Sequence, residues 1–152
     1  LPFLAADLGC MFGGTISLAL QKYFGVSLIN ARRGAFTLGA LMMTGVAFVG
    51  FVDSPYVAIA LLSLAGFAHQ TLSVTVITMS SDLFKRNEVA TVAGMAGTCG
   101  NAGLLLFSLA IGGLVTTIGY SPFFVGLAVL DLVGAAVLWM LVRERKPKAV
   151  VA

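Results

Sequence analysis

Long apolar runs alternate with short polar breaks along this chain. The runs are Leu1–Leu20, Ala35–Val52, Tyr56–Ser81, Val89–Thr117 and Pro122–Val142. Each approaches or exceeds the roughly 20 mostly apolar residues that an α-helix needs to cross a bilayer. Charges and helix breakers collect in the separators, such as Asp53-Ser54-Pro55 and Ile118-Gly119-Tyr120-Ser121. The separators are short, so the pattern predicts an all-α polytopic transmembrane helix bundle. It forms one domain over residues 1–146, with a cytoplasmic tail over 147–152 that is expected to be disordered after Pro147.

Composition supports the bilayer as solvent. The chain is 59% hydrophobic and 10% charged, with a mean hydropathy of +1.04, whereas soluble domains run at about 25% charged. Placement of charge adds a topology. The nine Lys and Arg fall in three places: Lys22 with Arg32 and Arg33; Lys85 with Arg86; and Arg143, Arg145, Lys146 and Lys148. With five crossings these are alternate connections, so they share one membrane face, and basic flanks mark the cytoplasmic side. The chain is thus expected in the cell inner (plasma) membrane, entering from outside and ending inside. Its net charge of +3 reads as topology and not as a nucleic-acid surface.

Chemistry-bearing motifs are few. Cys10 and Cys99 lie inside apolar runs without zinc or redox spacing, and read as small packing residues. G-x-S-x-G, H-E-x-x-H and paired carboxylates at helical spacing are missing, and a lone histidine makes no metal site. We therefore expect neither an enzyme nor a cofactor or metal. No basic leader precedes the first run, and a start at Leu-Pro predicts a piece of a longer chain. Gly94, Gly97, Gly100 and Gly103 recur every third residue in the fourth run, while Gly9 and Gly13 lie one turn apart in the first. Such spacings let another backbone approach closely; in the fourth run they also suit a helix that bends or slides as a gate.

The stretch GFAHQTLSVTVITMSSDLFKR, Gly66–Arg86, is the most polar part of any run. At about 100° per residue, His69, Ser73, Val76 and Ser80 share a face, with Thr71, Thr75 and Thr78 opposite. Such hydroxyl content means either that the helix borders something polar or that it is tied to its neighbours.

LPFLAADLG with Gly13-Gly14, Ala31-Arg32-Arg33, GFAHQ with SSDLFKR, and VAGMAGTCGNAG together resemble the carboxyl-terminal half of a major facilitator superfamily transporter. The likeness is to its anion:cation symporter branch, which includes hexuronate and other sugar-acid transporters, and it covers nearly the whole chain. The resemblance implies that the five helices are helices 8 to 12 of twelve, so that helix 7 and the amino-terminal half are missing. It implies that Gly66–Arg86 is helix 10, a wall of the central cavity, and that Ser73, Thr75 and Val76 occupy positions near the sugar acid. Asn stands at the place of Gly97 in some relatives; here the nearest amide is Asn101, one turn on. His69, Ser73, Thr75, Val76 and Asn101 are thereby substrate-binding candidates, with Asp7, Gln70 and Gly97 as cavity or gating candidates. Where many facilitators carry an Asp-Arg pair gripping a neighbouring helix end, this chain has Leu18 and Ala19, keeping Gly13, Gly14, Arg32 and Arg33.

Each polar residue has a plainer alternative. Asp7 in hydrocarbon would cost roughly 3 kcal/mol near the bilayer centre, so it either faces the cavity or sits at the outer interface. His69 either meets substrate or makes a fixed interhelical bond. Gln70 lies off the His69 face and suits a bond to a neighbouring helix. Asp131, on the outer last helix, is expected to have a structural partner or interface access rather than a transport role. Asp82, Lys85, Arg86 and Glu88 read as a solvated loop. The functional reading is secondary active, proton-coupled uptake of a sugar acid by alternating access. No Lys or Arg lies mid-membrane, so the cation for the substrate carboxylate, and the branch's proton-coupling carboxylates, belong to the missing half. The rival reading is a free-standing five-helix scaffold or accessory subunit.

Overall fold

The computed structural model describes residues 1–142; the expected tail, with Arg143, Arg145, Lys146 and Lys148, lies outside the described residues. Five α-helices follow one another: α1 (Pro2–Phe24), α2 (Leu28–Met43), α3 (Pro55–Leu83), α4 (Val89–Ile118) and α5 (Ser121–Leu141). A 3₁₀ segment, Thr44–Phe51, prolongs α2. With that segment counted as part of α2, all five are long and apolar enough to cross a membrane.

Two helix boundaries differ from the sequence reading. The first run continues past Leu20 to Phe24 and stops at Gly25, whose φ of 61° is left-handed and whose N–H donates to the Gln21 carbonyl. Glycine adopts that conformation without the clash a Cβ would bring. The second helix starts at Leu28 rather than Ala35, so Arg32 and Arg33 lie within its first turns and not in a connection. Tertiary partners make this possible: Arg32 Nε donates to Asp82 Oδ2 at 3.0 Å, and the Arg33 guanidinium stacks on Trp139. Asp82 is accordingly paired and not simply solvated. Near its far end the same helix tightens into 3₁₀ turns, where Val46 and Val49 are β-branched and Gly45 and Gly50 weaken the α-form.

α1 and α2 pack against α3, and α5 packs against α2 and its 3₁₀ extension. The contacts are built on small side chains. Gly9, Gly13 and Ser17 form the buried stripe of α1, and a Cβ on Gly9 would strike the Phe67 carbonyl of α3. The expected close approach at Gly9 and Gly13 is thus present. Ala40 and Ala68 are fully buried, while Phe3 and Leu106 are 86% and 68% exposed. Small residues inside and large apolar ones outside is the arrangement a lipid-embedded bundle requires, because helices there associate by close packing. α4 differs. None of its residues is buried, and nothing approaches Gly94, Gly97, Gly100 or Gly103 within 4 Å of an added Cβ. The expected backbone contact along that stripe is not made within the described residues, because α4 touches only α3 and α5, and those only slightly. One such contact is the edge-to-face pair Phe107–Phe123, with ring centroids 5.9 Å apart.

Candidate substrate-facing surface on α3

Most hydroxyls of α3 bond to their own helix. Thr71, Thr75, Thr78 and Ser80 donate to the carbonyls of Phe67, Thr71, Val74 and Val76, at 2.9, 2.6, 2.8 and 3.2 Å. Thr71 also reaches the Gly9 carbonyl at 3.3 Å across the α1 interface. Back-bonding to the preceding turn satisfies a hydroxyl where no water is available. Much of the polarity of Gly66–Arg86 is therefore internal to helix packing.

What remains is a narrower polar face. His69, Ser73 and Val76 are exposed along one side of α3, and among the described residues neither His69 nor Ser73 makes a side-chain hydrogen bond. Ser80 does not continue this face. It is buried, in the stretch where the Arg32–Asp82 pair draws the start of α2 to the end of α3. Thr75, one of the substrate-binding candidates, is 1% exposed; it lies on the packed side and not beside Ser73 and Val76. Gln70 is half-buried and makes no side-chain bond to a neighbouring helix among the described residues.

The other candidates lie elsewhere. Asn101 is exposed on α4, and its amide donates to the Gly97 carbonyl at 2.8 Å; Gly97 faces open space. Asp7 is exposed on the side of α1 away from its buried Gly9–Gly13–Ser17 stripe. Asp131, half-buried on α5, sits between Ala128 and Ala135, each of which belongs to a packed cluster. Among the described residues no ion pair or side-chain hydrogen bond engages Asp131, so the expected structural partner is not seen there. Neither of two apolar hollows, of about 330 and 490 Å³, is lined by a candidate residue. The structure thus gathers His69, Ser73 and Val76 on one face of α3.

Comparison with known proteins places this geometry in context. The sequence profile of the Major Facilitator Superfamily matches residues 4–152. The chain belongs to that superfamily. It is 50% identical to the hexuronate transporter of Escherichia coli (strain K12) over 152 residues, all of this chain and 35% of that protein. A galacturonate transporter of Dickeya chrysanthemi is 53% identical over 60 residues, covering 40% of this chain and 17% of that protein. The D-galactonate transporter of Escherichia coli O6:H1 is 28% identical over 145 residues, or 95% of this chain and 33% of that protein. The chain therefore spans about a third of the length of these two Escherichia coli relatives. Membership of a transporter superfamily agrees with the non-enzymatic reading, and the five apolar helices are those of a multi-pass membrane protein.

Proposed function

We propose that this chain supplies helices 8 to 12 of a proton-coupled symporter that takes up a hexuronate or closely related sugar acid by alternating access. The observation that carries the reading is the 50% identity to a hexuronate transporter across every residue of this chain. Transport needs no covalent chemistry, only a site whose access switches between two sides. His69 and Ser73 are suited to such a site: they offer a donor and a hydroxyl on an exposed face of a helix most of whose other hydroxyls are engaged. Val76 beside them supplies an apolar wall for a sugar ring. Asn101, Gly97 and Asp7 are assigned to the cavity margin, and Thr75 to holding the helix that presents the site. The substrate carboxylate and the proton are assigned to residues of the remaining helices.

The test is uptake by the full-length protein in cells lacking other sugar-acid transporters. Labelled galacturonate or glucuronate should accumulate, and a protonophore should abolish accumulation. Uptake of a neutral hexose without sugar acid would overturn the substrate assignment. Uptake unchanged by the protonophore would overturn the coupling.

A further inference from the structure

At the end of the bundle where α1 stops and α2 starts, an apolar hollow of about 330 Å³ is lined by Leu20, Phe24, Val26, Asn30, Gly34 and Trp139. Directly behind two of these residues lies Arg33. Its Nη1 donates to Asn30 Oδ1 at 3.0 Å, and its Cζ stands 4.9 Å from the Trp139 ring centroid. Trp139 is itself fixed, since its Nε1 donates to Thr37 Oγ1 at 2.9 Å and Thr37 Oγ1 donates to the Arg33 carbonyl at 2.8 Å. Arg33 is 8% exposed, yet its Nε is buried without a hydrogen-bond acceptor. Among the described residues the one ion pair is Arg32–Asp82, so no described carboxylate neutralises Arg33. A buried guanidinium with an empty donor edge is costly unless an anion completes it.

The surroundings indicate which anion. This end of the bundle carries Lys22, Arg32, Lys85 and Arg86, because the Arg32–Asp82 pair joins the start of α2 to the end of α3. In sequence, Val142-Arg143-Glu144-Arg145-Lys146, a net basic stretch, follows α5. The hollow is apolar, with Leu20, Phe24 and Val26 forming one wall and Asn30 and Trp139, the two residues that hold the guanidinium, lying between it and Arg33. A small hydrophilic anion would leave that wall unused. A molecule with a negative head and a hydrocarbon tail fits both parts.

We propose that this hollow seats an anionic phospholipid, with its phosphate on the Arg33 guanidinium and its acyl chain against Leu20, Phe24 and Val26. The lipid would tie the ends of α1, α2 and α5 together independently of the transported substrate. Juxtamembrane bases attract anionic headgroups in general, but here a single buried, stacked arginine fixes the position.

The experiment uses the full-length protein in nanodiscs, comparing pure phosphatidylcholine with discs in which phosphatidylglycerol replaces part of it. The wild-type Tm should rise by roughly 3 °C or more with phosphatidylglycerol, and inorganic phosphate added to phosphatidylcholine discs should not reproduce the rise. Arg33→Gln should lose most of the shift. Gly34→Leu, which keeps the charge and fills the hollow, should lose it too; this variant decides the matter if Arg33→Gln does not fold. Equal shifts in wild type and Gly34→Leu, or no wild-type shift because other helices of the protein cover the hollow, would overturn the proposal. So would inorganic phosphate matching the lipid, which would make the group a free-anion site.

Discussion

His69 and Ser73 are separated from Thr71 and Thr75 by only a few residues, yet the structure gives the two pairs opposite surroundings. The threonines are buried with their hydroxyls on backbone carbonyls; His69 and Ser73 are exposed. This contrast yields an expected division between two substitutions. Ser73→Trp in the full-length protein should leave membrane accumulation near normal and abolish uptake, because the indole occupies the open face. Thr75→Trp should instead deplete the protein, since inserting bulk into a packed contact costs about 1–3 kcal/mol or more. His69→Ala should weaken sugar-acid binding by about 1 kcal/mol, the usual scale of a hydrogen bond, with expression retained. Expression by immunoblot and affinity by competition, measured on the same preparations, check all three. Normal affinity in both Ser73→Trp and His69→Ala would show that this face does not meet the substrate.

At the scale of the helix, the decisive contact is α1 on α3. Its closeness depends on Gly9, where a Cβ would meet the backbone of Phe67 rather than a movable side chain. Gly9→Val should therefore reduce folded protein sharply, whereas Gly14→Val, with open space around it, should be tolerated; fluorescence size-exclusion of the two variants reads the difference. Gly9 and Gly13 announced this contact through their spacing alone, because small residues one turn apart have few other uses in lipid. The glycine stripe of α4 has the same signature and no partner within the described chain, so spacing indicates the capacity for contact but not its realisation. The early start of α2 was illegible for a different reason. Charged residues such as Arg32 and Arg33 look like a connection until Asp82 and Trp139, distant in sequence, are seen to hold them. The same applies to Ser80: helical periodicity placed it with His69, and tertiary contact at the helix end buried it.

For the molecule as a whole, shape and charge distribution bear on orientation. The chain exposes 10183 Å², against about 7,300 Å² for a compact monomer of its mass, and α4 contributes no buried residue. Much of this excess is large apolar side chains, which suits contact with lipid or further helices. The five described basic residues nevertheless gather at one end: Lys22 closes α1, Arg32 and Arg33 open α2, and Lys85 and Arg86 connect α3 to α4. Asp53 and the α4–α5 turn at Gly119 and Tyr120 lie at the other end, which has no described base. Because Lys and Arg are retained on the cytoplasmic side, we expect the Asp53–Pro55 turn outside and the Lys85–Glu88 connection inside. In a full-length protein freed of other reactive cysteines, Ser54→Cys should react with a membrane-impermeant maleimide in intact cells. Asn87→Cys should react only after the membrane is opened. Labelling of Asn87→Cys in intact cells with protection of Ser54→Cys would invert the orientation. Labelling of both from outside would mean that α3 does not span the bilayer.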